Sequence, residues 1–150
     1  MNFNKYTIKA QEAIQQATTY TSENSQQAIE TGHILKAILN GDESIGNYIL
    51  KKLNVNKSYF DLKLEEQILI YPKVSGANVQ PYLSNEAAFA LQKAEVYMKE
   101  FKDEYVAIEH ILLGLLAGRD KTASLMKEQG FNEKHLKAAI VELRDRKSVV

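Results

Sequence analysis

The 150-residue sequence has no cysteine, only two prolines, and no excess of either charge, with 19 basic residues against 19 acidic ones. The lack of cysteine excludes disulfides, thiolate nucleophiles and cysteine-ligated metals, and it fits a reducing cytoplasm, the compartment expected for this chain. With no basic excess or basic stripe there is no source for the phosphate neutralisation that drives nucleic-acid binding, so no nucleic-acid partner is expected. The longest apolar run, Ile111 to Ala117, is far shorter than the ~20 residues a bilayer span requires. Met1-Asn2-Phe3-Asn4-Lys5 lacks the apolar core of a secretory signal, and no membrane partner is expected either. No Gly-x-x-x-x-Gly-Lys-Ser/Thr phosphate loop occurs, so the chain carries no ATPase motif and no cofactor of its own is expected.

What is present is a duplication. His33-Ile34-Leu35 returns as His110-Ile111-Leu112, an offset of 77. At that offset Ala10, Ala13, Gln15 and Ala17 meet Ala87, Ala90, Gln92 and Ala94 identically, while Thr7 meets Ser84, Ile29 meets Val106 and Gly41 meets Gly118. Further on, Val55-Asn56 meets Phe131-Asn132 at an offset of 76. Repeat one covers about 4–70 and repeat two about 83–146. Between them, 71–82 holds both prolines and reads as a linker. The last residues, 147–150, read as the start of a further linker.

Each repeat predicts four helices. Thr7 and Ser84 are good N-caps ahead of stripes at helical spacing: Ala10, Ala13, Ile14 and Ala17 in one copy, Ala87, Leu91, Ala94 and Met98 in the other. A short apolar second helix follows (Ile34, Leu35, Ile38 and Leu39; Ile111, Leu112, Leu115 and Leu116), with Gly41 and Gly118 expected to stop it in the left-handed conformation. Third helices are expected over Ile45–Leu53 and Thr122–Gln129. Asn56 and Asn132 cap fourth helices, whose buried faces are Phe60, Leu64 and Ile68, or Leu136, Ile140 and Leu143. No segment alternates with period two, so no strand is expected. The fold class is all-α: eight helices in two four-helix repeats, packed with pseudo-twofold symmetry because each helix has a single apolar face.

Glu30-x-x-His33 has the spacing of a di-iron carboxylate motif, but the second copy puts Ala107 where Glu30 should recur. The alternative, that each histidine hydrogen-bonds backbone at a helix start, is preferred, and no metal site is expected. Glu12, Glu95, Asp103 and Glu109 could be paired as acid and base, yet carboxylates on helices are usually a solvated face and nothing marks a pocket around them. No Ser-His-Asp arrangement stands out, and no catalytic residue is assigned.

The pattern Thr7-x-x-Ala10-x-x-Ala13-Ile14-x-x-Ala17, then a His-Ile-Leu helix, then all of it again, resembles the Clp N-terminal repeat that fronts the ClpA, ClpB and ClpC members of the AAA+ unfoldases. Tyr71-Pro72-Lys73-Val74-Ser75-Gly76, Asp103-Glu104-Tyr105-Val106 and Leu143-Arg144 look like the ClpB type in particular. The resemblance implies a chaperone domain, monomeric by itself, that engages unfolded or aggregated polypeptide and delivers it to the AAA+ modules of a hexameric disaggregase powered by ATP and magnesium. It implies substrate-handling roles for Thr7, Asp103 and Glu109, beside an apolar groove to which Phe3, Tyr6, Tyr82, Leu83 and Tyr105 are assigned. Docking of folded adaptor proteins, as in the ClpC and ClpA types, is the alternative. The sequence departs from the family at Gly32, where many relatives carry glutamate before the histidine in both copies. The N-cap positions of the second helices, Glu30 and Ala107, are also weak.

Overall fold

Side-chain caps set most of the helix starts. In the computed structural model, which describes residues 2–41, 43–76 and 80–148, Thr7 Oγ1 accepts from Ala10 N ahead of α1 (Ile8–Glu23), and Ser84 Oγ accepts from Ala87 N ahead of α5 (Asn85–Glu100). Asn56 caps α4 (Lys57–Leu69), Asp120 caps α7 (Lys121–Glu128) and Asn132 caps α8 (Glu133–Ser148). Between these lie α2 (Thr31–Asn40), α3 (Glu43–Lys52) and α6 (Ile108–Leu116). The stripes predicted on the first and fourth helices of each repeat are all buried.

The second helices start differently. Neither Glu30 nor Ala107 caps with its own side chain. Instead the histidine three residues on turns back: Glu30 N donates to His33 Nδ1 at 2.9 Å, and Ala107 N donates to His110 Nδ1 at 2.8 Å. This is the return half of a capping box, made by imidazole in place of glutamate. With Nδ1 accepting, the proton sits on Nε2. From there it is shared with Gln26 Oε1 in the first repeat and Asp103 Oδ2 in the second, both at 2.7 Å.

Two repeats with one apolar face each bury those faces against one another. α1 packs on α6 as α5 packs on α2, and α3 packs on α8 as α7 packs on α4. The same exchange appears in the backbone. Thr7 N donates to Val106 O at 2.9 Å, and at the equivalent positions Ser84 N donates to Ile29 O at 3.0 Å.

Those backbone pairings correct the expectation that the chain has no strand. Ala28–Ile29 (β1) and Tyr82–Leu83 (β2) form a two-residue parallel pair, and Tyr6 and Val106 make the matching single bridge. Two residues are too few to display a period. The left-handed stops also fall elsewhere than expected. Gly41 has φ −89°, and among the described residues only Gly76 and Gly130 are positive-φ glycines. The left-handed turns follow the first and third helices of each repeat: Ser25 and Lys102 match, as do Asn54 and Gly130. Gly41 answers to space instead, since a Cβ there would stand 2.9 Å from Ala37 O.

The segment that reads as a linker is held down at both ends. Tyr71 lies against His33 with ring centroids 5.2 Å apart, Val74 N donates to Ser25 O at 2.8 Å, and Tyr82 belongs to β2. Ala77, Asn78 and Val79 of that segment lie outside the described residues, as do Met1, Asp42, Val149 and Val150. Helix α8 runs through Ser148, past residue 147 where the sequence suggests a linker begins. Among the described residues no helix is long and apolar enough to cross a membrane.

Candidate functional site

The entry of the chain into α1 makes one wall of a cleft. Lys5 O accepts from Val106 N at 2.7 Å and Thr7 N donates to Val106 O, so residues 5–7 are stitched to the segment leading into α6. This juxtaposes the N-termini of α1 and α6, with α3 behind them. The cavity between them, about 290 Å³, is lined by Thr7, Ile8, Lys9, Ile45, Ala107, Ile108 and Glu109. Its floor is aliphatic. Ile45 and Ile108 are buried, whereas Ile8, 74% exposed, stands at the rim. Lys9 and Ile108 also border a larger groove of about 590 Å³ between α1 and α2, which Glu12, Gln16 and Asn40 make more polar.

Beside the cleft is a charged cluster. Arg144 Nη2 lies 2.8 Å from Asp103 Oδ2 and 3.3 Å from Glu109 Oε2, and the guanidinium stands 5.1 Å from the centre of the Phe101 ring. Asp103 also takes the Nε2 proton of fully buried His110. Burial alone would raise the Asp103 carboxyl, but the Arg144 and His110 hydrogen bonds more than offset it and hold the group below the usual carboxylate range. Burial lowers His110 below the ordinary histidine value, against the pull of Asp103 and Glu109. The two carboxylates therefore share the Arg144 guanidinium, with the His110 ring hydrogen-bonded to one of them.

Of the residues assigned from sequence, Thr7 and Glu109 line one cavity, and Asp103 is joined to Glu109 through Arg144. The aromatic assignments fare differently. Tyr6 is buried in the core with Phe3 edge-on to it at 5.1 Å. Burial pushes the Tyr6 phenol up to about 12. Tyr105 is exposed but does not line the cleft, and Tyr82 and Leu83 lie on β2 at the pseudo-equivalent end. The residues that do form the floor and rim, Ile8, Ile45, Ala107 and Ile108, were not singled out. Ile8 carried a signal: it follows the N-cap directly and lies opposite the stripe of Ala10, Ala13, Ile14 and Ala17, an aliphatic side chain on the face that should be wet.

Residues 5–129 match the family model described as the Clp repeat (R) N-terminal domain. The chain belongs to the Clp repeat N-terminal domain family. Over 144 residues, 96% of its length, this Clp N-domain is 46% identical to Chaperone protein ClpB of Bacteroides thetaiotaomicron, of which it spans 16%. It is likewise 42% identical over 149 residues to Chaperone protein ClpB of Porphyromonas gingivalis, of which it spans 17%. Its fold is that of the Hsp104 N-terminal domain from Candida albicans, with TM-score 0.78, 24% identity and coverage of 94% of this chain and 92% of the other. A ClpV N-domain solved in complex with a VipB peptide shares the fold at TM-score 0.73 and 19% identity, covering 90% and 84% of the two chains.

Proposed function

We propose that this Clp N-domain engages unfolded or aggregated polypeptide at the cleft between the N-termini of α1 and α6, for delivery to AAA+ modules in a longer chain. ATP and magnesium would act on those modules and not on this domain. The observation that carries the reading is an open cleft with an aliphatic floor and an exposed isoleucine, Ile8, at its rim. An apolar client side chain entering it gains ~1.5–3 kcal/mol from burial. Ordering a disordered client consumes part of that gain, so affinity is weak and specificity broad. The peptide-bound ClpV N-domain supports the reading as a precedent for peptide recognition by this fold.

The carboxylates of Asp103 and Glu109 favour clients with basic flanks. Arg144 already satisfies much of both carboxylates, so that preference is modest and fades with salt. Thr7 combines two roles. Its oxygen accepts the cap hydrogen bond, and its proton remains for a client carbonyl.

The test is binding of a permanently unfolded, fluorescently labelled polypeptide to the wild type and to Ile8→Glu. Ile8 is too exposed for the change to harm the fold, and a charge at the rim is expected to weaken binding about tenfold, the equivalent of ~1.4 kcal/mol. Equal affinities would remove the cleft from the account. Binding of a folded adaptor that is insensitive to Ile8→Glu would point to docking on another face.

A further inference from the structure

The pseudo-twofold relation gives the Thr7 cleft a counterpart. Thr7, Ile8 and Lys9 correspond to Ser84, Asn85 and Glu86, Ile45 to Thr122, and Ala107, Ile108 and Glu109 to Glu30, Thr31 and Gly32. In the first cleft the wall carries the Glu109 side chain and the space in front is open. In the second the wall is bare at Gly32, and Tyr71 fills the space in front of that wall, while Thr31, Asn85 and Glu86 border an open groove of about 570 Å³ along α5. A Cβ at residue 32 would overlap the Tyr71 hydroxyl and stand 3.2 Å from its Cζ and 3.3 Å from Gln67 Nε2. Gln67 Nε2 donates to the Tyr71 hydroxyl at 2.8 Å and reaches Thr122 Oγ1 at 2.7 Å. The Thr122 and Thr31 hydroxyls are 2.7 Å apart, and Thr31 donates to Asp120 Oδ2 at 2.8 Å. Tyr71 thus sits against the counterparts of Glu109 and of Ile45, two walls of the cleft.

We infer that Tyr71 is the built-in occupant of this second cleft and excludes external side chains from it, so that a domain made of two similar halves presents one cleft of this kind to clients. The inference rests on the reading of the first cleft given above. Tyr71 is tethered close to its seat: its N–H donates to Ile68 O at 3.2 Å at the end of α4, and Val74 is fixed to Ser25 on the other side. A group delivered by so short a tether competes as if present at millimolar concentration or more, beyond what a weakly binding client supplies. The linings differ as well. Ile45 faces the open cleft, whereas at its place in the second one Thr122 lies against the Tyr71 phenol, suited to a ring with a hydroxyl at its tip.

Tyr71→Ala empties the second cleft, and Tyr71→Phe keeps a ring over Gly32. p-Cresol, the tyrosine side chain as a free molecule, reads the cleft without any client. At millimolar concentration it is expected to raise the melting temperature of Tyr71→Ala by a few degrees and to shift the amides of Gly32, Ser84 and Thr122, with neither effect on the wild type or on Tyr71→Phe. No p-cresol binding to Tyr71→Ala would overturn the inference. Should that variant not fold, Tyr71→Leu keeps apolar cover on His33 while uncovering Thr122, and the same two outcomes apply. With an unfolded polypeptide, the wild type should shift amides at the first cleft (Thr7–Lys9, Ile45 and Ala107–Glu109) and not at its counterpart, and Tyr71→Ala should add a second set at Gly32, Ser84 and Thr122. A second set that never appears counts against Tyr71 as the barrier. A wild type with no first set refutes the function proposed above, while the p-cresol result still decides the role of Tyr71.

Discussion

His33 makes the fold acid-sensitive in a window that can be stated in advance. Its ring is fully buried, Nδ1 accepts from Glu30 N, and Nε2 donates to Gln26 Oε1. A second proton could go only on Nδ1, where it would face an N–H and break the turn that starts α2. Burial, helped by the nearby Lys36 charge, pushes the imidazole down to about 4 from the ordinary 6.5. Between those values the unfolded chain holds a proton that the folded chain refuses, so stability is complete above 6.5 and drains away as pH falls toward 4. At 1.36 kcal/mol per pH unit the loss is about 2 kcal/mol at pH 5 and about 3 kcal/mol at pH 4. For a domain of this size that lowers the melting temperature by about 4–8 °C between pH 7 and pH 5. His110, also lowered by burial, acts in the same direction, whereas Glu30, raised by burial, is protonated earlier in the folded state and offsets part of the loss. Melting curves across this range, with the His33 ring titration followed by NMR, make the assay, and His33→Asn should flatten the slope. A His33 that titrates near 6.5, together with a flat melting temperature, would refute the reasoning.

Three further outcomes follow from named contacts. Gly114→Ala should destabilise the domain by roughly 1–3 kcal/mol in denaturant titration: the new Cβ would overlap Ala90 O and stand 3.1 Å from Ala94 N, and backbone cannot rotate away. That outweighs the gain of ~1 kcal/mol in helix propensity, and the equivalent position in the first repeat carries a buried alanine, Ala37, so the α1–α2 contact leaves room for a Cβ that the α5–α6 contact does not. Thr7→Ala and Ser84→Ala should each cost ~1 kcal/mol of stability through a lost N-cap, but only Thr7→Ala should also weaken polypeptide binding, as paired melting and binding curves would show. Arg144→Gln removes the cation shared by Asp103 and Glu109, so the His110 titration seen by NMR should move up, and binding of basic polypeptides should strengthen at low salt.

The caps, stripes and duplication were legible because each depends on near neighbours in the chain. Thr7, Ser84, Asn56 and Asn132 cap helices through their own third neighbours, and the buried stripes keep helical period. The histidines' backbone bonds at the second helix starts are local in the same way. What escaped depends on contacts distant in sequence. The β1–β2 pair joins residues 28–29 to 82–83, and Tyr71 answers to Gly32 and Thr122. Glycine's role at Gly41 depended on Ala37 O rather than on φ, which composition cannot reveal. At the candidate site the polar members were found through family resemblance. Of the aromatic residues assigned to the groove, Tyr6 lies in the core with Phe3 against it, Tyr82 lies on β2 and Tyr105 is exposed outside the cavity lining, because an aromatic near a helix start is as readily a core plug as a surface contact.

The central claim is that client polypeptide enters the cleft between the starts of α1 and α6. An amide-shift NMR titration of the domain with a permanently unfolded polypeptide tests it most directly. Shifts concentrated at Thr7–Lys9, Ile45 and Ala107–Glu109, weakened in Ile8→Glu, are the predicted result. Shifts confined to other faces, or none at saturating polypeptide, would contradict it.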